Sequence, residues 1–121
     1  MALKHIDVVM QVQDQVENIS CYDARLLMNK EDVLFVDVRN KEGFLQGHIT
    51  GAVHCERGML EFLVADGSPM QLEVFKGQPY SQYIIYCNGG RQSVLAAYTL
   101  QNLGVSGVKN LVGGYQAWQV E

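Results

Sequence analysis

Two stretches of this chain are apolar without interruption, and the rest is patterned. Val33-Leu34-Phe35-Val36 and Tyr83-Ile84-Ile85-Tyr86 are rich in β-branched and aromatic residues. That is the pattern of strands buried on both faces of a parallel sheet. In residues 5–17 the apolar positions Ile6, Val9, Met10, Val12 and Val16 recur at three- and four-residue spacings, which predicts an amphipathic helix. A short strand near Asn18–Ile19 follows. Ser20, with Asp23 three residues on, suits a helix N-terminus and opens a second helix through Ala24, Leu26, Leu27 and Met28. Helices are also predicted at 41–46, at 57–62, from Ser93 to about Leu103 before Gly104, and from Tyr115 to Val120. Short strands are predicted at Gly51–His54 and Val108–Val112. Residues 66–79, broken by Gly67, Pro69, Gly77 and Pro79, read as a surface connection.

Strands alternating with helices, with no repeat and no linker between halves, imply one α/β domain over 1–121. A parallel sheet is covered by helices on both faces, and residues 1–17 form an N-terminal helical extension to a core of 18–121. Ligands of such sheets bind beyond the carboxyl ends of the strands. Three segments fall there: Asp37–Arg39, His54–Arg57 and Cys87–Ser93.

Composition narrows the chemistry. Among 121 residues, 48% are hydrophobic and 18% charged, which is globular composition and excludes a fibrous or disordered role. Nine Lys and Arg against 13 Asp and Glu give a formal charge of -4, so no basic field attracts nucleic acid or a membrane surface, and an anion site must be local. No apolar run has the length of a signal peptide or a membrane span. Cys21, Cys55 and Cys87 are odd in number and scattered, matching neither a disulfide framework nor a zinc pattern. The expectation is a cytoplasmic protein with reduced thiols, no metal and no cofactor.

The strongest chemical signal is Cys87-Asn88-Gly89-Gly90-Arg91-Gln92-Ser93. A thiol at a strand end stands directly before two glycines and a helix start. Glycines let the backbone curl so that successive N–H groups face inward as an anion nest, and the helix N-terminus adds partial positive charge. Such surroundings favour a nucleophilic thiolate. Arg91 adds a permanent cation with a planar fork suited to an oxyanion.

Four segments resemble the rhodanese family. Phe35-Val36-Asp37-Val38-Arg39 is similar to its hydrophobic-Asp-x-Arg segment, and Gly47-His48-Ile49-Thr50-Gly51-Ala52 to its Gly-His-Ile-x-Gly-Ala. Cys87 to Ser93 resembles its active-site loop, and Gly113-Gly114-Tyr115 through Ala117-Trp118 its closing Gly-Gly-aromatic-x-x-Trp. Arg57 to Phe62 is similar to a segment of many small single-domain bacterial members. Where the family often carries Glu before the aromatic at Phe44, this chain has Gly43, with Glu42 one residue earlier.

The resemblance implies a five-stranded parallel sheet flanked by helices and a Cys87 that takes a sulfane sulfur as a persulfide. Thiosulfate is the simplest donor, a thiol, cyanide or a sulfur-relay protein the acceptor. It makes Asn88, Gly89, Gly90, Arg91, Gln92 and Ser93 the binding loop, with Asp37 and Arg39 supporting its hydrogen bonding and Arg57 at the pocket rim. His48 and His54 are expected to be structural, and Cys55 and Cys21 to be packing residues. Six loop residues from Cys87 to Gln92 match the length associated with sulfur transfer, where related phosphatases and arsenate reductases have seven. Two alternatives stay open: a non-catalytic partner-binding or redox-sensing module, and a phosphatase or arsenate reductase.

Overall fold

The two uninterrupted apolar runs lie side by side inside one parallel sheet. The computed structural model describes residues 1–120. Its strands are β1 (Glu17–Ile19), β2 (Val33–Asp37), β3 (Val53–His54), β4 (Gln82–Tyr86) and β5 (Val108–Leu111), in the order β1-β5-β4-β2-β3. Leu34, Val36, Tyr83 and Ile85 project into one core, and Phe35, Ile84 and Tyr86 into the other. Both sets are buried, which is why neither strand carries a polar face.

Helices α1 (His5–Val12), α2 (Cys21–Leu26), α3 (Lys41–Gln46), α4 (Leu60–Val64), α5 (Gln92–Asn102) and α6 (Gly114–Val120) complete the fold. Val9 of α1, Leu60 and Val64 of α4, and Val94, Ala96, Ala97 and Leu100 of α5 fill the first core. Cys21 and Ala24 of α2 and Trp118 of α6 fill the second. The layered α/β architecture with a five-stranded parallel sheet is the one expected. No helix among the described residues is long and apolar enough to cross a membrane.

Three local expectations change. The helix expected over 5–17 ends at Val12; one 3-10 turn follows, and the chain straightens at Val16. Glu17 to Ile19 can then pair with Lys109 to Leu111, a long-range gain that local spacing does not reveal. The helix expected at 57–62 starts as a 3-10 turn over Arg57–Met59 and continues as α4. The 66–79 connection is anchored by Phe75, which is buried and stacks on Tyr83 with centroids 5.4 Å apart.

β4 is the middle strand, so the residue that follows it emerges at the centre of the sheet's carboxyl edge. Its neighbour is locked to it there: the Val38 N–H donates to the Tyr86 carbonyl at 3.0 Å. Cys87 is thereby carried to the place where such sheets bind ligands.

Candidate active site

Between β4 and α5 the chain turns in five residues, and α5 begins at Gln92, one residue before the expected start. The backbone N–H groups of Gly90 and Ser93 donate to Cys87 Sγ at 3.2 and 3.3 Å. The Cys87 and Asn88 carbonyls face away, accepting from the N–H groups of Tyr115 (2.8 Å) and Gln116 (3.0 Å) in the first turn of α6. Carbonyl dipoles are thus drawn off the sulfur and amide dipoles aimed at it. Gly90 sits at φ +91°, and a Cβ there would lie 2.9 Å from the Gly113 nitrogen. Gly114, at φ +63°, passes so close behind the loop that a Cβ would lie 2.5 Å from the Asn88 carbonyl oxygen.

Cys87 is 3% exposed and forms the floor of an open recess of about 430 Å³. Asn88, Gly89, Arg91, Gln92 and Gln116 line the rest. Arg91 is its one charged side chain, and none of these residues carries a carboxyl or an imidazole. Beneath the loop, Ser93 is fully buried; its Oγ lies 3.3 Å from Cys87 Sγ and donates to Asn110 Oδ1 at 2.5 Å. Asn110 and Gln116 were not anticipated from the sequence. The available signal for Asn110 was an amide between Lys109 and Leu111 in a predicted strand, on the opposite face from Lys109, since a buried amide needs partners.

Asp37 and Arg39 meet as a buried ion pair at 2.7 Å, the Arg39 guanidinium donating to both Asp37 oxygens. It also donates to the Gly47 carbonyl at 2.6 Å and to Asn88 Oδ1 at 3.3 Å, and it lies over the Tyr115 ring at 4.5 Å. Hydrogen bonding to Asp37 holds the guanidinium above its usual pKa. Arg39 thus has a carboxylate partner in Asp37 although position 43 is glycine, and it reaches the second residue of the loop.

Arg57 is turned elsewhere. Its guanidinium donates to Thr99 Oγ1 at 3.3 Å and lies 4.0 Å from Glu61, on the α4–α5 side, and it does not line the recess. His48 donates through Nδ1 to the Phe44 carbonyl at 2.8 Å while stacking on Phe44. His54 donates through Nε2 to the Arg39 carbonyl at 2.8 Å. Cys55 is fully buried, which pushes its thiol up to about 12. Cys21 is buried with its thiol 3.6 Å from the Val112 carbonyl.

The family model of the rhodanese-like domain matches residues 20–121. The chain belongs to the rhodanese-like domain family. It is 36% identical over 87 residues to thiosulfate sulfurtransferase 16, chloroplastic, of Arabidopsis thaliana, covering 69% of this chain and 72% of that one. A solved protein of unknown function from Rhodopseudomonas palustris CGA009, described as a possible tyrosine phosphatase, superposes with a TM-score of 0.90. It is 32% identical, across 99% of this chain and 92% of its own. The human single-domain sulfurtransferase TSTD1 shares the fold at a TM-score of 0.72 and 23% identity, covering 88% of this chain and 97% of that one. In this rhodanese-like chain the Gly113-Gly114-Tyr115 segment is therefore the back wall of the cysteine loop, and the Asp37-Val38-Arg39 segment its side support.

Proposed function

We propose that this protein is a sulfurtransferase that passes a sulfane sulfur from thiosulfate, or a similar small anionic donor, through a Cys87 persulfide to a thiol, cyanide or a sulfur-relay protein. One observation carries the reading: Cys87 Sγ receives two backbone N–H groups at the floor of a recess whose sole charge is Arg91. A thiolate and the anionic end of a persulfide are the species that such donors serve. Arg91 attracts the donor anion, and Asn88, Gly89, Gly90, Gln92 and Ser93 complete the cradle.

In the first step the Cys87 thiolate attacks the outer sulfur of thiosulfate. The S–S bond of thiosulfate breaks, sulfite leaves with the electron pair, and Cys87 carries a persulfide anion. In the second step the acceptor attacks the outer sulfur and the Cys87 thiolate departs. Both leaving groups are stable anions, so neither step asks for a general acid.

That requirement separates the reading from phosphatase chemistry, which the description of the Rhodopseudomonas relative suggests. Displacing an aryl or alkyl oxygen from a phosphate monoester calls for proton donation to that oxygen, and the recess has no carboxyl or imidazole. The name of the Arabidopsis relative points the same way. The test is thiocyanate formation from thiosulfate and cyanide, run beside aryl phosphate and arsenate turnover. Wild type should form thiocyanate, and Cys87→Ser should fall to background. Activity surviving in Cys87→Ser, or aryl phosphate hydrolysis outpacing thiocyanate formation, would overturn the assignment.

A further inference from the structure

A chain of side-chain hydrogen bonds leads from the reactive sulfur to the protein surface, and all its donors point the same way. The Cys87 thiol donates to Ser93 Oγ (3.3 Å), the Ser93 hydroxyl to Asn110 Oδ1 (2.5 Å), Asn110 Nδ2 to Asn18 Oδ1 (3.0 Å), and Asn18 Nδ2 to the Val16 carbonyl (3.2 Å). Asn18 and Asn110 are direct cross-strand partners on β1 and β5. Ser93 and Asn110 are buried, while Asn18 is exposed.

This polarity fits a thiol. Asn110 turns its acceptor toward Ser93, takes the hydroxyl proton, and leaves a Ser93 lone pair facing the sulfur. A thiolate has no proton to place there, and a lone pair against an anion is repulsive. An amide, however, has an acceptor at one end and a donor at the other, so turning it reverses the polarity. We propose that Asn110 is a positioning residue that sets the charge state of Cys87 by reversing this chain. In the reversed arrangement Asn18 Nδ2 donates to Asn110 Oδ1, Asn110 Nδ2 to Ser93 Oγ, and the Ser93 hydroxyl to the Cys87 thiolate. Water takes over the Val16 carbonyl at the exposed end. The thiol proton leaves to water through the recess, and none travels along the chain.

Charged groups stand at both ends of this path. Arg91 lines the recess at the sulfur, the Arg39–Asp37 pair lies beyond Asn88, Asp14 lines the cleft that Asn18 and Asn110 share with Arg91, and Glu17, Asp23 and Lys109 line the cleft on the other side of Asn18, Lys109 lying 3.8 Å from Glu17. The proposal rests on Cys87 being the group that reacts in sulfur transfer. Its test uses alkylation, which needs no sulfur donor, so the two can fail separately.

The experiment is the pH profile of iodoacetamide alkylation at Cys87, followed by peptide mass, with thermal unfolding as the folding control. Asn110→Leu frees the Ser93 proton for the sulfur, so alkylation at neutral pH should rise about three- to tenfold and the profile move to lower pH. Asn110→Asp only accepts, so the rate should fall by a similar factor and the profile move to higher pH. Asn18→Asp, at an exposed position, also only accepts; it holds Asn110 as it stands and should slow alkylation. That slowing should persist in high salt, where the field of an exposed carboxylate is screened. Equal-direction changes in the two Asn110 variants, unmoved profiles, or an Asn18→Asp effect abolished by salt would overturn the proposal. If the Asn110 variants do not fold, Asn18→Asp decides alone.

Discussion

Cys55 and Cys87 each follow the last residue of a parallel strand, and their surroundings differ. Cys87 receives two N–H groups and borders an open recess. Cys55 is fully buried in the core that covers one face of the sheet, and burial pushes its thiol from an ordinary value near 9.0 up to about 12. Between those pH values the unfolded chain has lost a proton that the folded chain keeps. Stability is therefore fully present below about pH 9 and falls as pH rises, by about 1.4 kcal/mol per unit from this residue. Tyr83 and Tyr86, both pushed up by burial, add to the slope above about pH 10. Cys55→Ala should show a shallower loss of stability between pH 9 and 10 in denaturant titrations. Parallel wild-type and variant curves would contradict this.

The cysteine loop depends on the element behind it. The first turn of α6 takes the loop's carbonyls, and Gly114 permits that approach at a positive φ. Gly114→Ala combines an unfavourable backbone conformation, costing about 1–3 kcal/mol, with a clash against loop backbone. It should lower unfolding stability by at least that amount and remove thiocyanate formation. Gly89 is the control, since a Cβ added there would meet nothing within 4 Å and its φ is not positive. Gly89→Ala should stay within about 0.5 kcal/mol of wild type. Equal losses in the two variants would mean that α6 does not shape the loop. Element boundaries were less legible than element types. The spacing of Val12 and Val16 satisfies a helix and a turn equally well, and only pairing of β1 with β5 decides between them. Phe75 looked like part of a surface connection because its partner Tyr83 is brought to it by tertiary packing.

Across the whole molecule, the layered architecture was legible because strands buried on both faces must be apolar throughout, and Phe35 and Ile84 against Leu34 and Ile85 show both faces filled. The place of Cys87 was legible for a related reason: parallel strands all end on one edge. Strand order was not, since nothing local says that β5 lies between β1 and β4. For the same reason the Ser93–Asn110–Asn18 chain stayed hidden, as it joins residues from three elements. Arg57 follows the end of β3, but its neighbours Glu61 and Thr99 decide where its side chain points. A chain of formal charge -4 attracts an anion only through a local cation, and under the proposed function Arg91, which lines the recess, is that cation.

Mass spectrometry of the intact protein and its peptides after thiosulfate treatment tests the sulfur-transfer mechanism most directly. One added sulfur on the peptide containing Cys87, removed again by cyanide, is the expected result. An unmodified Cys87 peptide, or added sulfur found on Cys21 or Cys55 instead, would contradict it.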